Sequence, residues 1–341
     1  MSDYVRTRIA QRNGVLTLDR PKALNSLSLE MVRDLTRILL QWRDDPAIDA
    51  VVIGSSSEKA FCAGGDIRFF HGGSGALIED FFTEEYALNY LVHCYPKPYI
   101  ALMDGVVMGG GMGIAQAGPQ ARLRVVTDRT KMAMPEVNIG LFPDVGGSFF
   151  LSRTPGKLGF YLGLTGLTIG AADALYAGLA DRYVPGALAD LADGGAQAIE
   201  RAARTPAPGL LETQRERIDR HFGAGSVPAI MASLEGDADA FAQKALAAMR
   251  LRSPLMMCVT HELLVRGARM DVADCLRMER TAVRRTFEHG EVMEGVRALV
   301  IDKDNAPRWN PVALEDVRQE MVARFFEPAW PDYAHPLRHL K

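Results

Sequence analysis

Short apolar runs and longer amphipathic stretches alternate along the first two thirds of the chain. Val15 to Leu18 reads as a strand, with Asn13-Gly14 before it as a hairpin turn. Ser28 to Trp42 repeats its apolar residues at helical spacing behind a serine cap, and Ala50 to Ile53 is a buried strand. Lys59 to Arg68 is a glycine-bearing turn that opens a helix, and Leu77 to His93 is a further helix ending before Pro96 and Pro98. Tyr99 to Met103 is the next strand, Gly105 to Gly113 leads into another helix start, and Leu123 to Val126 is again a strand. Strand, turn and helix recurring in this order predict an α/β fold. After about Leu175 the pattern becomes mainly helical, with helices expected over Pro254 to Arg266, Val272 to Phe287 and Val292 to Ile301 and one more beyond Trp309. An Ala-, Arg- and Pro-rich passage at Arg204 to Gly209 marks the boundary.

Composition narrows what such a fold can do. With 341 residues, 48% of them hydrophobic and 24% charged, the chain can bury a large core as one big domain or two. A net charge of -3 exerts no global pull on nucleic acid or anionic lipid, so neither is an expected partner. No apolar run reaches membrane-spanning length and no targeting segment is recognised ahead of the first strand, which leads to the expectation of a cytoplasmic protein. Cys62, Cys94, Cys258 and Cys275 form no CxxC pair and have no metal-ligand spacing with the histidines, so a reducing interior and no structural metal are expected.

The candidate chemistry lies in carboxylates and glycines. Glu136 and Asp144 each follow a proline and sit among apolar or glycine positions, at rigid non-helical corners. Two held acids near apolar neighbours can have their pKa values driven apart, as acid/base or nucleophilic work requires. Asp144 can alternatively cap the helix that follows it, whereas an idle Glu136 at the head of an apolar stretch would be costly. Two glycine turns, Ala63-Gly64-Gly65-Asp66 and Gly109-Gly110-Gly111, each follow a buried strand; they are either plain tight turns or a pair of converging amides able to stabilise an oxyanion. Gly109 and Gly111 with Asp128 imitate a dinucleotide-binding unit, but Ile114 breaks that pattern. By spacing alone Glu85 is a solvated helix position, Asp66 a helix cap, and Lys22, Lys59 and Arg68 surface cations. No GxSxG elbow is present, so a serine-hydrolase mechanism lacks its signature.

Four segments in order, Arg20-Pro-Lys-Ala-Leu-Asn-Ser-Leu27, Lys59-Ala-Phe-Cys-Ala-Gly-Gly-Asp-Ile67, Asp104-Gly-Val-Val-Met-Gly-Gly-Gly-Met-Gly113 and Met134-Pro-Glu-Val-Asn-Ile-Gly140, resemble the crotonase (enoyl-CoA hydratase/isomerase) superfamily. The resemblance implies a spiral of β-β-α turns over residues 1–205 carrying an acyl-CoA site. A mainly helical region over 206–341 is then expected to cover that site or to mediate contacts of a possible homo-oligomer. It implies that Gly65 and Gly110 amides hold the thioester oxygen, that Lys22, Ala23 and Leu24 with Asp66 belong to the substrate-binding edge, and that no cofactor is needed beyond the CoA of the substrate. Hydratases of this superfamily carry a glutamate three residues after the second of those glycines, and here that position is Gly113.

Asp144, together with Phe82-Thr-Glu-Glu-Tyr-Ala-Leu-Asn89, Gly156-Lys-Leu-Gly-Phe160, Leu164-Thr-Gly166, Glu294-Gly-Val-Arg-Ala-Leu-Val-Ile-Asp-Lys-Asp304 and Pro307-Arg-Trp309, is similar to the 3-hydroxyisobutyryl-CoA hydrolase subfamily. That likeness implies hydrolysis of a short branched 3-hydroxyacyl-CoA of valine breakdown, with Glu136 and Asp144 catalytic and Glu85 binding the acyl hydroxyl. The alternatives are a hydratase or isomerase on the same fold and a non-catalytic acyl-CoA binder.

Overall fold

The computed structural model describes residues 2–69, 75–186, 188 and 191–341. The chain divides into two units, each assembled from three stretches. One comprises Met1–Asp66, Glu84–Ala133 and Thr168–Glu212, the other Ile67–Thr83, Met134–Leu167 and Thr213–Lys341.

The first unit holds the sheets. Strands β1 (Val5–Ala10), β2 (Asn13–Leu18), β3 (Ala50–Ser55), β4 (Ala60–Cys62), β5 (Tyr99–Met103), β6 (Val106–Met108), β7 (Arg122–Val126), β8 (Lys131–Ala133) and β9 (Arg182–Tyr183) form a six-stranded sheet in the order β1-β2-β3-β5-β7-β9 and a three-stranded sheet β4-β6-β8. Among the described strands β1 and β2 pair antiparallel and every other strand–strand ladder is parallel, with isolated antiparallel bridges at Met132–Ile169 and Tyr183–Arg204. Each of the couples β3/β4, β5/β6 and β7/β8 gives one strand to each sheet, so the chain winds as the strand-strand-helix spiral that the resemblance implies. Every residue of β5 is buried, as a central parallel strand covered on both faces must be. Val15, Val52, Ile100 and Val125 pack with Val184, Leu188 and Ile199 into one apolar cluster under the helix Gly195–Ala202.

The expected helix after Ser28 runs over Leu29–Asp44, and Ser28 Oγ accepts the Met31 amide at 3.3 Å. Its stripe of Met31, Val32, Leu35, Ile38, Leu39 and Trp42 is buried. Trp42 also accounts for one correction. The hairpin turns at Gln11 and Arg12, with φ 48° and 67°, while Asn13 and Gly14 already belong to β2. Gly14 serves packing instead of turning, because a Cβ there would lie 2.5 Å from the Trp42 ring.

All the helices of the second unit's long last stretch come after the final strand. Pro254–Gly267 and Val272–His289 match the expected helices, and the third becomes Glu291–Val296 followed by a π-helical turn Arg297–Ile301. Tyr161 on the helix Leu158–Thr165 packs edge-on to Phe222 at 5.3 Å and lies 5.5 Å from Phe241. Among the described residues no helix is long and apolar enough to cross a membrane.

Candidate active site

In the first unit the two glycine turns lie side by side. Leu27 forms a parallel bridge with Gly65: its amide donates to the Gly64 carbonyl (2.8 Å) and its carbonyl accepts from the Asp66 amide (2.9 Å). Successive residues of extended backbone face opposite sides, so the Gly65 N–H is turned away from Leu27. Gly110 is next to it: a Cβ built on Gly110 would lie 3.3 Å from the Gly65 nitrogen and would overlap Glu85 Oε1. Gly110 opens the short helix Gly110–Gly113, where an amide has no partner in its own turn. Paired main-chain donors of this kind have the chemistry to stabilise a developing oxyanion. Gly113 is buried at the end of the same helix and offers no carboxylate.

Glu85 is on the helix Gly75–His93, only 2% exposed, and borders Gly110 rather than solvent, contrary to what its spacing alone suggests. Asn89, one turn further on, is equally enclosed, and neither polar atom of its amide has a hydrogen bond among the described residues. Lys22 and Ala23 end the 3₁₀ turn Pro21–Ala23, and Leu24 follows in a left-handed conformation with its side chain exposed. This edge is tied to the glycine turn, since the Leu24 carbonyl accepts the Ala63 amide at 3.0 Å. Asn25 reinforces the tie: its amide nitrogen donates to Ser55 Oγ (2.6 Å) and the Phe61 carbonyl (3.1 Å), and its oxygen accepts the Arg20 amide (2.7 Å). Asp66 forms an ion pair with Arg20 at 2.7 Å.

The second unit holds both proline-led acids, buried at 7% exposure for Glu136 and 5% for Asp144. Glu136 starts the 3₁₀ turn Glu136–Ile139, whose end is fixed by the Leu141 amide donating to the Glu136 carbonyl (3.0 Å). Asp144 begins a tight turn in which its carbonyl accepts the Gly147 amide at 2.6 Å, with φ 52° at Val145 and 88° at Gly146. The helix Gly147–Leu151 starts there. A third acid meets this turn: Glu279 Oε2 accepts the Gly146 amide and Oε1 the Ser148 amide, both at 2.8 Å, and Oε1 also accepts the Ser148 hydroxyl at 2.5 Å. Burial pushes the Glu279 carboxyl up to about 8; the three donors offset part of that, and the negative charge of Asp144 adds to it.

Sequence reasoning missed Glu279, Asn89 and Asn25. Glu279 left a trace, because it lies three and four residues from Cys275, Leu276, Ala282 and Val283 on the buried face of its helix, where an acid is out of place. Among the described residues no group of His, Cys, Asp and Glu could hold a metal ion. Asp128, the acid of the dinucleotide imitation, accepts the Gly186 amide at 2.7 Å.

The enoyl-CoA hydratase/isomerase family profile matches residues 13–326. The mitochondrial 3-hydroxyisobutyryl-CoA hydrolase of Danio rerio is 40% identical over 333 residues, covering 92% of this chain and 86% of that protein. Among solved structures, a carnitinyl-CoA dehydratase from Mycobacterium thermoresistibile superposes with a TM-score of 0.91 at 38% identity, over 97% of this chain and 98% of that one. An enoyl-CoA hydratase from Rhodobacter sphaeroides 2.4.1 does so with a TM-score of 0.87 at 41% identity, over 96% and 98%. The chain belongs to the enoyl-CoA hydratase/isomerase family. Within it the relatives' names divide between thioester hydrolysis and addition or removal of water, and the chemistry of the residues has to choose.

Proposed function

We propose that this protein hydrolyses the thioester of a short branched 3-hydroxyacyl-CoA, 3-hydroxyisobutyryl-CoA being the substrate of the hydrolase relatives. The observation that carries this choice is the buried Gly113 at the position of the hydratase glutamate, combined with two buried acids, Glu136 and Asp144. Adding water to a double bond takes one group to activate water at Cβ and another to deliver a proton at Cα, and the missing acid removes half of that apparatus. Hydrolysis makes a different demand, for an oxyanion cradle and one nucleophile or base.

In the proposed reaction the Glu136 carboxylate attacks the thioester carbonyl carbon, and the carbonyl electrons move to the oxygen, which the Gly65 and Gly110 amides stabilise by about 3 kcal/mol per donor. Collapse of that adduct breaks the C–S bond; CoA leaves as the thiolate and takes up a proton, with an acyl-glutamyl anhydride remaining. Water then cleaves the anhydride, returning Glu136 and releasing the hydroxy acid, while Asp144 orients the water or the substrate hydroxyl. The direct alternative, Glu136 as base for water attacking the thioester, uses the same groups. Glu85 binds the acyl hydroxyl, and Lys22, Ala23, Leu24 and Asp66 contribute to the CoA-binding edge. No cofactor takes part, so EDTA leaves the rate unchanged. A homo-oligomer, which light scattering tests, and a cytoplasmic location, which cell fractionation tests against the mitochondrial location in the relative's name, complete the proposal.

The test is CoA release from 3-hydroxyisobutyryl-CoA, followed with a thiol reagent. Release well above that of an Asp144→Ala variant is expected; release equal to that variant's sinks the hydrolase reading. Loss of crotonyl-CoA absorbance without CoA release would favour the hydratase alternative.

A further inference from the structure

We propose that Glu279 is a positioning residue for Asp144, its side chain gathering the Gly146 and Ser148 amides so that the turn carrying Asp144 keeps a left-handed conformation it would not hold unaided. The inference rests on the reading above, in which Asp144 takes part in thioester hydrolysis.

Three observations converge on it. The turn is unusual for its sequence: Val145 has φ 52°, a region that a β-branched side chain avoids, and Gly146 follows at 88°. Backbone in such a state persists only where its surroundings over-determine it, and such states concentrate at functional corners. The restraint is visible, because the Gly146 and Ser148 amides, on the residues just after the strained one, both end on Glu279 at 2.8 Å, joined by the Ser148 hydroxyl at 2.5 Å. The restraint is also costly, because Glu279 is fully buried and has no arginine or lysine among its hydrogen-bond partners in the described residues. Were the aim only to cap the short helix Gly147–Leu151, a serine or asparagine before it would serve without burying a carboxylate 131 residues away in sequence.

A residue that merely stabilises the fold and one that positions Asp144 differ in what Glu279→Gln does. Glutamine keeps the shape and cannot ionise, so stability need not fall, but its NH₂ meets one of the donors head-on and that hold on the turn is lost. Glycine at 145 adopts positive φ without steric cost and so lowers the strain that the restraint has to hold.

The experiment measures CoA release and thermal melting for the parent protein, Glu279→Gln, Val145→Gly, the double variant and Asp144→Ala. Glu279→Gln should lower kcat about tenfold or more, as expected for a misplaced catalytic group. Its KM should stay within about twofold, and its melting temperature should not fall in step. The double variant should recover at least about threefold in kcat over Glu279→Gln. Parental kcat in Glu279→Gln, or a loss that Val145→Gly does not reverse, overturns the positioning role while leaving hydrolysis intact. No CoA release from the parent protein, or full release from Asp144→Ala, instead removes the reading of the site and this role with it.

Discussion

A carboxylate or an amide acts only where its backbone holds it, and each of the residues that matter here is held by a different device. Gly110 is held open by the absence of a side chain: the position its Cβ would take is bounded by Glu85, Leu27 and the Gly65 nitrogen. On the proposed mechanism Gly110→Ala, which keeps the amide but places a Cβ against Glu85 Oε1 and the Gly65 nitrogen, should lower kcat for CoA release about a hundredfold, with the melting curve showing a folded protein. Asn89 illustrates the reverse case, a polar group enclosed without a hydrogen bond among the described residues, one helical turn from Glu85. A buried amide in that condition suits a ligand hydroxyl. Asn89→Ala should raise KM for 3-hydroxyisobutyryl-CoA about tenfold while changing that for isobutyryl-CoA, which lacks the hydroxyl, far less. Equal changes for the two esters would remove Asn89 from hydroxyl recognition.

Elements were legible to the extent that their signals are local. The stripe from Met31 to Trp42 and its serine cap are periodic and contiguous, so the helix Leu29–Asp44 could be read almost to its ends. Ser28→Ala should cost about 1 kcal/mol, seen as a lower urea midpoint at unchanged slope. The Asn13-Gly14 pair looked like a turn for an equally local reason, and failed because the demand on Gly14 comes from Trp42, on another element. The acid-bearing turn shows the same limit. Its prolines marked Glu136 and Asp144 as rigid positions, but the group that secures Gly146 and Ser148 comes from the helix Val272–His289, which no pattern near residue 144 announces.

At the scale of the whole molecule, stability should carry the mark of a buried acid. The Glu279 carboxyl is pushed up to about 8 from an ordinary 4.5, so the folded state binds its proton more tightly than the unfolded chain does. Its stabilising contribution is complete below pH 4.5, declines by at most about 1.4 kcal/mol per pH unit above that, and is lost once the pH passes about 8. The melting temperature of the parent protein relative to Glu279→Gln should therefore fall between pH 5 and pH 8; a constant difference across that range would show that Glu279 does not titrate there. By itself the sequence determined the α/β class and, through the resemblance its ordered motifs carry, the spiral and the family, because apolar period, turn residues and motifs are written in contiguous stretches. Only tertiary structure decided that the Gly65 nitrogen lies beside Gly110, that Glu85 is enclosed there, and that a distant Glu279 accepts the amides of the turn after Asp144. Those pairings join residues far apart in the chain, and burial, which sets the worth of every charge among them, arises only when the whole chain packs.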